Sequence, residues 1–180
     1  LALSLAANRV PSEVDRRTVY NVLAKGVSRA EYLVGSWLGV FLVTGGAVAA
    51  FTVVQQVIAV TRYGDPMWQL WQGALAIWLE MGVLCAFAVA ISSVVGPVVV
   101  VTAAMAVLFA GHSRSTLVGG EGALALRPFY PSLDTFNIVN PVAHGSGVPA
   151  LYVLSMLVVF AGFVAVALAV AVLLFGRRDL

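Results

Sequence analysis

Four long apolar stretches, cut by short polar or turn-forming segments, account for most of this chain. From Tyr32 to Val60 none of the 29 side chains is charged. At about 1.5 Å of rise per residue such a helix exceeds the roughly 30 Å hydrocarbon core of a bilayer, so the stretch predicts a tilted membrane span. Thr61 to Met67, with Arg62, Gly64, Asp65 and Pro66, predicts a reversal, and Trp68 and Trp71 flank it where indole rings favour the headgroup zone. Gln69 to Val95 predicts a second span, interrupted by Glu80, and Gly96-Pro97 a tight uncharged turn. A third span is expected from Pro97 to about Gly111 and a fourth from Pro149 to Phe175. Between these two, the loop 112–148 carries Arg114, Glu121, Arg127, Asp134 and both histidines; its weakly apolar part from Leu117 to Leu126 suits a short helix lying against the membrane.

The polar pattern differs ahead of Tyr32. Ser12 precedes Asp15 by three residues, and Ser28 precedes Glu31 by three, two copies of the Ser-x-x-acid signal that satisfies free amide donors at a helix start. The first predicts a short helix with Val14, Val19, Val22 and Leu23 as its apolar side, either lying along the interface or standing as an ordinary cytoplasmic loop helix; the second predicts the start of the long span. Lys25-Gly26 separates them, since glycine accepts the left-handed geometry that ends a helix. Helix, turn and helix are therefore expected at a membrane surface.

Composition sharpens this picture. The chain is 61% hydrophobic and 10% charged with a mean hydropathy of +1.00, whereas soluble chains carry roughly 25% charge. A soluble domain is excluded, and the fold class expected is all-α: a polytopic membrane helical bundle of four full spans plus an N-terminal cytoplasmic helix. The net charge of +2 does not point to nucleic acid, because the basic residues gather at span ends and form no stripe. Cys85 is the single cysteine, so there is neither a disulfide framework nor a thiolate metal site. Residues 1–8 read as the tail of a span that begins upstream, which makes the chain a fragment of something longer.

Orientation follows from the basic residues. Arg9, Arg16, Arg17, Lys25, Arg29, Arg177 and Arg178 fall on the side of the N-terminal segment and C-terminus, against Arg62, Arg114 and Arg127 opposite. The positive-inside rule makes the first side cytoplasmic. The organisation expected is a cytoplasmic segment over 9–31 and a transmembrane domain over 32–180 with an extracytoplasmic loop at 112–148.

The segment from Pro11 to Gly35, with Asp15, Arg17-Thr18, a short helix, Val27-Ser28-Arg29 and a glycine-rich span in that order, resembles the cytoplasmic segment of ABC transporter permeases of the type-2 export class. Phe136-Asn137, Pro141-Val142 and His144-Gly145 are similar to that family's last extracytoplasmic loop, and Phe175 to Leu180 to its Arg-Arg-Asp ending. Gly26 departs from the family, many members of which have proline after the lysine. The resemblance implies six spans per subunit, the first and most of the second lying before Leu1. It implies a permease of the bacterial or archaeal cytoplasmic membrane, working with a second permease subunit, identical or not, and with a separate ATP-binding-cassette subunit that binds ATP and Mg. The helix from about Val14 to Leu23 would be the coupling helix docking on that ATPase, and Glu13, Asp15, Arg16, Arg17, Thr18, Tyr20, Leu23, Lys25 and Arg29 the residues that make the connection.

Little else in the sequence carries chemistry. Lys25 is the chain's one lysine and there is no Gly-x-x-x-x-Gly-Lys-Ser/Thr phosphate cradle, so no ATPase site of its own, no cofactor and no enzymatic activity are expected. Glu80 is the ionisable group deep in a span, where a carboxylate costs a few kcal/mol even on lenient scales and must face protein or water. It is a candidate pathway residue together with Gln55 and Gln56; the alternative is a packing residue hydrogen-bonded near those glutamines. Gly35 and Gly39, four apart on one helix face, are candidates for close helix packing. His144-Gly145-Ser146-Gly147 does not make a hydrolase, because a base adjacent in sequence rarely aligns with its serine. His112, His144, Glu121 and Asp134 lack metal-ligand spacing, and loop histidines bonded to backbone are expected instead. A non-transporting membrane scaffold is the rival to the permease reading.

Overall fold

The computed structural model describes residue 6, residues 27–92, 94–112 and 133–176. The expected coupling helix over 14–23 and the short helix over 117–126 lie outside the described residues. The described chain is helical: α1 (Arg29–Tyr63), α2 (Gln69–Ser92), α3 (Pro97–His112), a single 3-10 turn (Leu133–Phe136), a short α4 (Val139–Ala143) and α5 (Ala150–Gly176).

Local chemistry sets the helix limits. At the start of α1 the Ser28 hydroxyl accepts from the Glu31 amide at 3.2 Å, and the Glu31 carboxylate accepts from the Ser28 amide at 2.7 Å, a complete capping box. α1 ends at Gly64, whose φ of 79° lets its amide turn back to the Val60 carbonyl at 3.0 Å. Thus the helix runs three residues past the apolar stretch. Pro97 opens α3, where its missing amide is no loss.

α1, α2 and α5 are each long and apolar enough to cross a membrane. α3 is apolar but has 16 residues, about 24 Å at about 1.5 Å per residue. Large apolar side chains such as Leu42, Phe51 and Val57 of α1 and Leu151, Val158 and Leu173 of α5 stand exposed, as they must on faces that meet lipid.

α2 is the central helix. Of its apolar stretch 61% is buried, against 28% for α1 and 17% for α5, and α1, α3, α4, α5 and the 3-10 turn all pack on it. Small residues allow this: Ala76, Gly82, Ala86 and Ala90 are among its positions, and lipid being as apolar as leucine, close van der Waals approach is what holds membrane helices together. At Gly82 a Cβ atom would meet ring carbons of Phe41 at 2.5 Å and Phe160 at 2.8 Å, so glycine admits side chains from α1 and α5 at once. Around it lies an aromatic knot. Phe41 stacks on Trp78 at 4.4 Å between centroids, on Trp37 at 5.2 Å and on Phe160 at 5.4 Å. Both indole N–H groups donate to helix carbonyls, Trp37 to Gly82 at 2.9 Å and Trp78 to Phe41 at 2.8 Å. With no water inside a bilayer to take them, those bonds decide how the rings sit.

Candidate functional site

Three features on this scaffold carry polar chemistry: Glu80 on α2, the layer beyond the tip of α3, and the elbow at the foot of α1.

Glu80 is buried near the middle of α2, and α3 comes up from the Gly96-Pro97 turn to end directly against it. The Nε2 atom of His112, last residue of α3, lies 3.5 Å from the Glu80 carboxylate oxygen Oε1. The other ring nitrogen, Nδ1, is 3.2 Å from the Leu108 carbonyl one turn back. Glu80 Oε1 itself has no hydrogen-bond partner. The sequence pointed to Gln55 or Gln56 as its neighbours; neither hydrogen-bonds it. Gln55 lines a groove with Thr52, Val139 and Val142, and Gln56 another with Pro66, Trp68 and Trp71, toward the far end of α1. His112, expected as a loop histidine bonded to backbone, is so bonded through Nδ1 alone. The signal for the pairing was present in length: α3 climbs back alongside α2, so a residue near its end comes level with one about as far down α2.

Beyond the tip of α3 the chain layers over it. Leu133 of the 3-10 turn presses on Gly111, where a Cβ would meet its side chain at 2.6 Å. The Tyr152 hydroxyl at the head of α5 donates to the Thr135 carbonyl at 2.9 Å. The following loop is fastened to α2: Gln72 donates to the Val148 carbonyl at 3.1 Å and accepts from the Val148 amide at 2.8 Å, and Gln69 donates to the Gly145 carbonyl at 2.8 Å. Gly147, with φ of 61°, makes room for Gln72. In that loop His144 Nδ1 faces the Asn140 carbonyl at 2.8 Å, and the Ser146 hydroxyl donates to the Pro141 carbonyl at 3.0 Å. Each is turned to backbone, so no base–nucleophile pair forms.

The model of the family described as ABC-2 family transporter protein matches residues 1–180, the whole of this chain. The chain belongs to the ABC-2 family. Comparison with curated proteins finds no match, nor does comparison with solved structures. As an ABC-2 permease the molecule is a multi-pass membrane protein of a transport system.

In this ABC-2 chain the elbow is tied to the last helix. Arg29 Nη1 donates to the carbonyls of Phe175 at 3.1 Å and Gly176 at 3.2 Å, and its guanidinium lies over the Phe175 ring. A cation there meets the negative end of the α5 dipole and carbonyls without intrahelical partners. Tyr32, one turn on, stacks on the same ring at 6.1 Å. The foot of α1 and the end of α5 therefore share one end of the bundle. Glu13, Asp15, Arg16, Arg17, Thr18, Tyr20, Leu23 and Lys25 lie outside the described residues. Gly35 and Gly39 face outward with nothing within 4 Å of a Cβ at either; among the described residues the close approaches between the long helices are at Gly45, against Trp78, and at Gly82.

Proposed function

We propose that this chain is the membrane subunit of an ATP-driven exporter, forming the translocation pathway and coupled to a separate ATP-binding-cassette subunit that holds ATP and Mg. A second permease subunit completes the pathway. The finer topology belongs to the same proposal: four spans, Pro97–His112 being the short third one, both ends of the bundle cytoplasmic by the positive-inside rule, and residues 9–31 as the coupling segment in a bacterial or archaeal cytoplasmic membrane. The chain carries no ATPase activity of its own in this reading.

The observation that supports it is the Arg29 contact. The capped start of α1 is fastened, through Arg29 and Tyr32, to the end of α5. A displacement delivered to the elbow is thereby shared between two spans that pack on α2 and on each other, as a subunit driven from the cytoplasm needs.

The test is co-purification with the cassette ATPase, followed by ATP-dependent export in vesicles. Deleting residues 14–23 is expected to release the ATPase, and Arg29→Ala to leave it bound while lowering export several-fold. If the deleted protein retains the ATPase, the coupling role of that segment is wrong. If export is undetectable with the ATPase bound and hydrolysing, the scaffold reading replaces this one.

A further inference from the structure

α1 and α5 touch near the elbow and part beyond it. Their ring contacts run from Tyr32 against Phe175, through Trp37, to Phe41 against Phe160 at 5.4 Å, and among the described residues none lies further from the elbow. Past that point three apolar grooves open on the surface, and Trp71 of α2 lines all of them. One, of about 440 Å³, runs along the far end of α1 from Thr61 and Pro66 to Trp71. A second, of about 510 Å³, continues between α1 and α2 past Gly46 to Trp78. The third, of about 520 Å³, lies between α2 and α5 and reaches Leu157. Leu75, one turn along from Trp71, borders both of the last two. The three grooves make a Y, a stem and two legs divided by the ridge of Trp71 and Leu75.

Its depth is that of one leaflet. Trp71 to Trp78 and Ala150 to Leu157 along the legs are each about 10 Å of helix, and Val53 to Thr61 along the stem about 12 Å, at about 1.5 Å per residue. From rim to foot this is an interfacial zone plus about half of a roughly 30 Å hydrocarbon core. Polarity changes on the way down. At the rim Arg62 follows Thr61 and Asp65 precedes Pro66; both are exposed, and among the described residues neither is ion-paired. In the stem Gln56 brings a carbonyl oxygen, Oε1, that has no hydrogen-bond partner. At the fork Trp71 finds no acceptor for its indole N–H among the described residues, unlike Trp37 and Trp78. The legs are aliphatic side chains, glycine and indole, with Gln72 already bonded to Val148.

We propose that the Y holds one zwitterionic two-chain phospholipid of the leaflet on the side of the α1–α2 turn. One acyl chain lies in each leg, the glycerol esters sit in the stem within reach of Trp71, and phosphate and ammonium meet Arg62 and Asp65. The charges carry the choice of headgroup: a cation and an anion three residues apart, not paired with each other, match a group that bears both. An indole N–H at ester depth donates to a carbonyl oxygen. The fork carries the choice of lipid over helix. A helix with its side chains is about 10–12 Å across; it would rest on the ridge and bridge the legs without filling them, forfeiting the close packing that joins membrane helices. Two chains divide around the ridge instead. Seated there, the lipid keeps α1 and α5 apart above the aromatic knot, while the knot and Arg29 hold them together below it.

The test uses the full-length subunit in vesicles of phosphatidylethanolamine and phosphatidylglycerol, one or the other carrying a diazirine on an acyl chain, with labelled residues mapped by mass spectrometry. The phosphatidylethanolamine probe is expected to label both legs, at Gly46 to Ala49 and at Val153 to Leu157, above the level at Phe51 and Val158, which face lipid outside the Y. Nothing lies within 4 Å of a Cβ added at Gly46. Gly46→Leu therefore fills a leg from α1, and is expected to cut the leg labels about tenfold with thermal unfolding unchanged. Arg62→Gln, on the exposed rim, is expected to cut them about fivefold, the effect of one basic group at a lipid surface. Should Gly46→Leu disturb the fold, Arg62→Gln decides alone. Equal labelling of the legs and of Phe51 and Val158, a phosphatidylglycerol probe that labels the legs as strongly, or a photo-cross-linker on Leu75→Cys that captures a protein segment in place of lipid would each overturn the assignment. None of these readings depends on transport.

Discussion

The aromatic knot around Gly82 and the layer at the tip of α3 meet on the same helix and are built on opposite terms. In the knot every polar atom that packing buries has a partner: both indole N–H groups reach carbonyls, and three helices share four stacked or tilted rings. At the tip a short helix ends on a carboxylate oxygen without a hydrogen bond, covered by a 3-10 turn and by a loop held through glutamine side chains. Bilayer helices gain nothing from burying apolar surface against each other, so stability concentrates where backbones come close and polar groups are satisfied. The knot is thus the fixed part of the subunit, and the tip is the part with least to lose by moving.

Two glycines test this contrast at nearly equal geometry. A Cβ at Gly82 would come within 2.5 Å of Phe41, and one at Gly111 within 2.6 Å of Leu133. Overpacking costs about 1–3 kcal/mol according to how far the surroundings yield. Gly82→Ala is expected at the upper end, about 3 kcal/mol, because the rings it displaces are locked by one another and Trp37 depends on the Gly82 carbonyl. Gly111→Ala is expected to cost less, about 1–2 kcal/mol, because one buried side chain, Leu133, has to give way there in place of rings from two helices. Unfolding of the two variants in the same mixed micelles compares them directly. Equal losses would mean that the tip is as tightly held as the knot.

Next in size is Trp37→Phe, which keeps a ring in the stack but removes the donor to Gly82. Hydrogen bonds between membrane helices are worth about 0.6 kcal/mol on average and up to about 1.7, so a loss of about 1 kcal/mol is expected, with thermal unfolding as the readout. At the tip, Gln72→Ala removes both bonds to Val148. Its effect is expected to be local: raised hydrogen exchange over 145–149, with global unfolding moved by less than about 1 kcal/mol. A global loss larger than that of Trp37→Phe would reverse the ranking of the two regions.

How much of this was legible beforehand depends on how local the cause is. The capping box at Ser28 and Glu31, the reversal around Gly64 and Pro66 and the Gly96-Pro97 turn sit where the sequence placed them, since each is decided within a few residues. Which helix is central was not legible. In water the buried face is marked by polar residues on the other side, but here lipid and protein select the same side chains, so α2 carries no stripe. Glu80 is recognisable as the residue needing a partner, but the group nearest it, His112, is 32 positions away, where the hydropathy pattern marks a loop. The glycines illustrate the same limit. Spacing marks Gly35 and Gly39 as a pair able to take a close neighbour, while among the described residues Gly45 and Gly82 are the ones that have it between the long helices.

That outward pair supplies the smallest expected effect and the one whose sign matters most. With nothing within 4 Å of a Cβ at Gly35 or Gly39, alanine there meets no clash inside the subunit and removes the backbone entropy that glycine surrenders in a helix, about 0.5–1 kcal/mol each. Gly35→Ala is therefore expected to stabilise the isolated subunit slightly, by about 0.5 kcal/mol, in the unfolding assay that registers a loss at Gly82. If a second permease subunit seats on this face, the same substitution pushes it away, and cross-linking between subunits should fall even as the single subunit gains stability. A loss in the isolated subunit would instead mean that α1 packs on more of its own chain than Trp37, Phe41 and Gly45 engage.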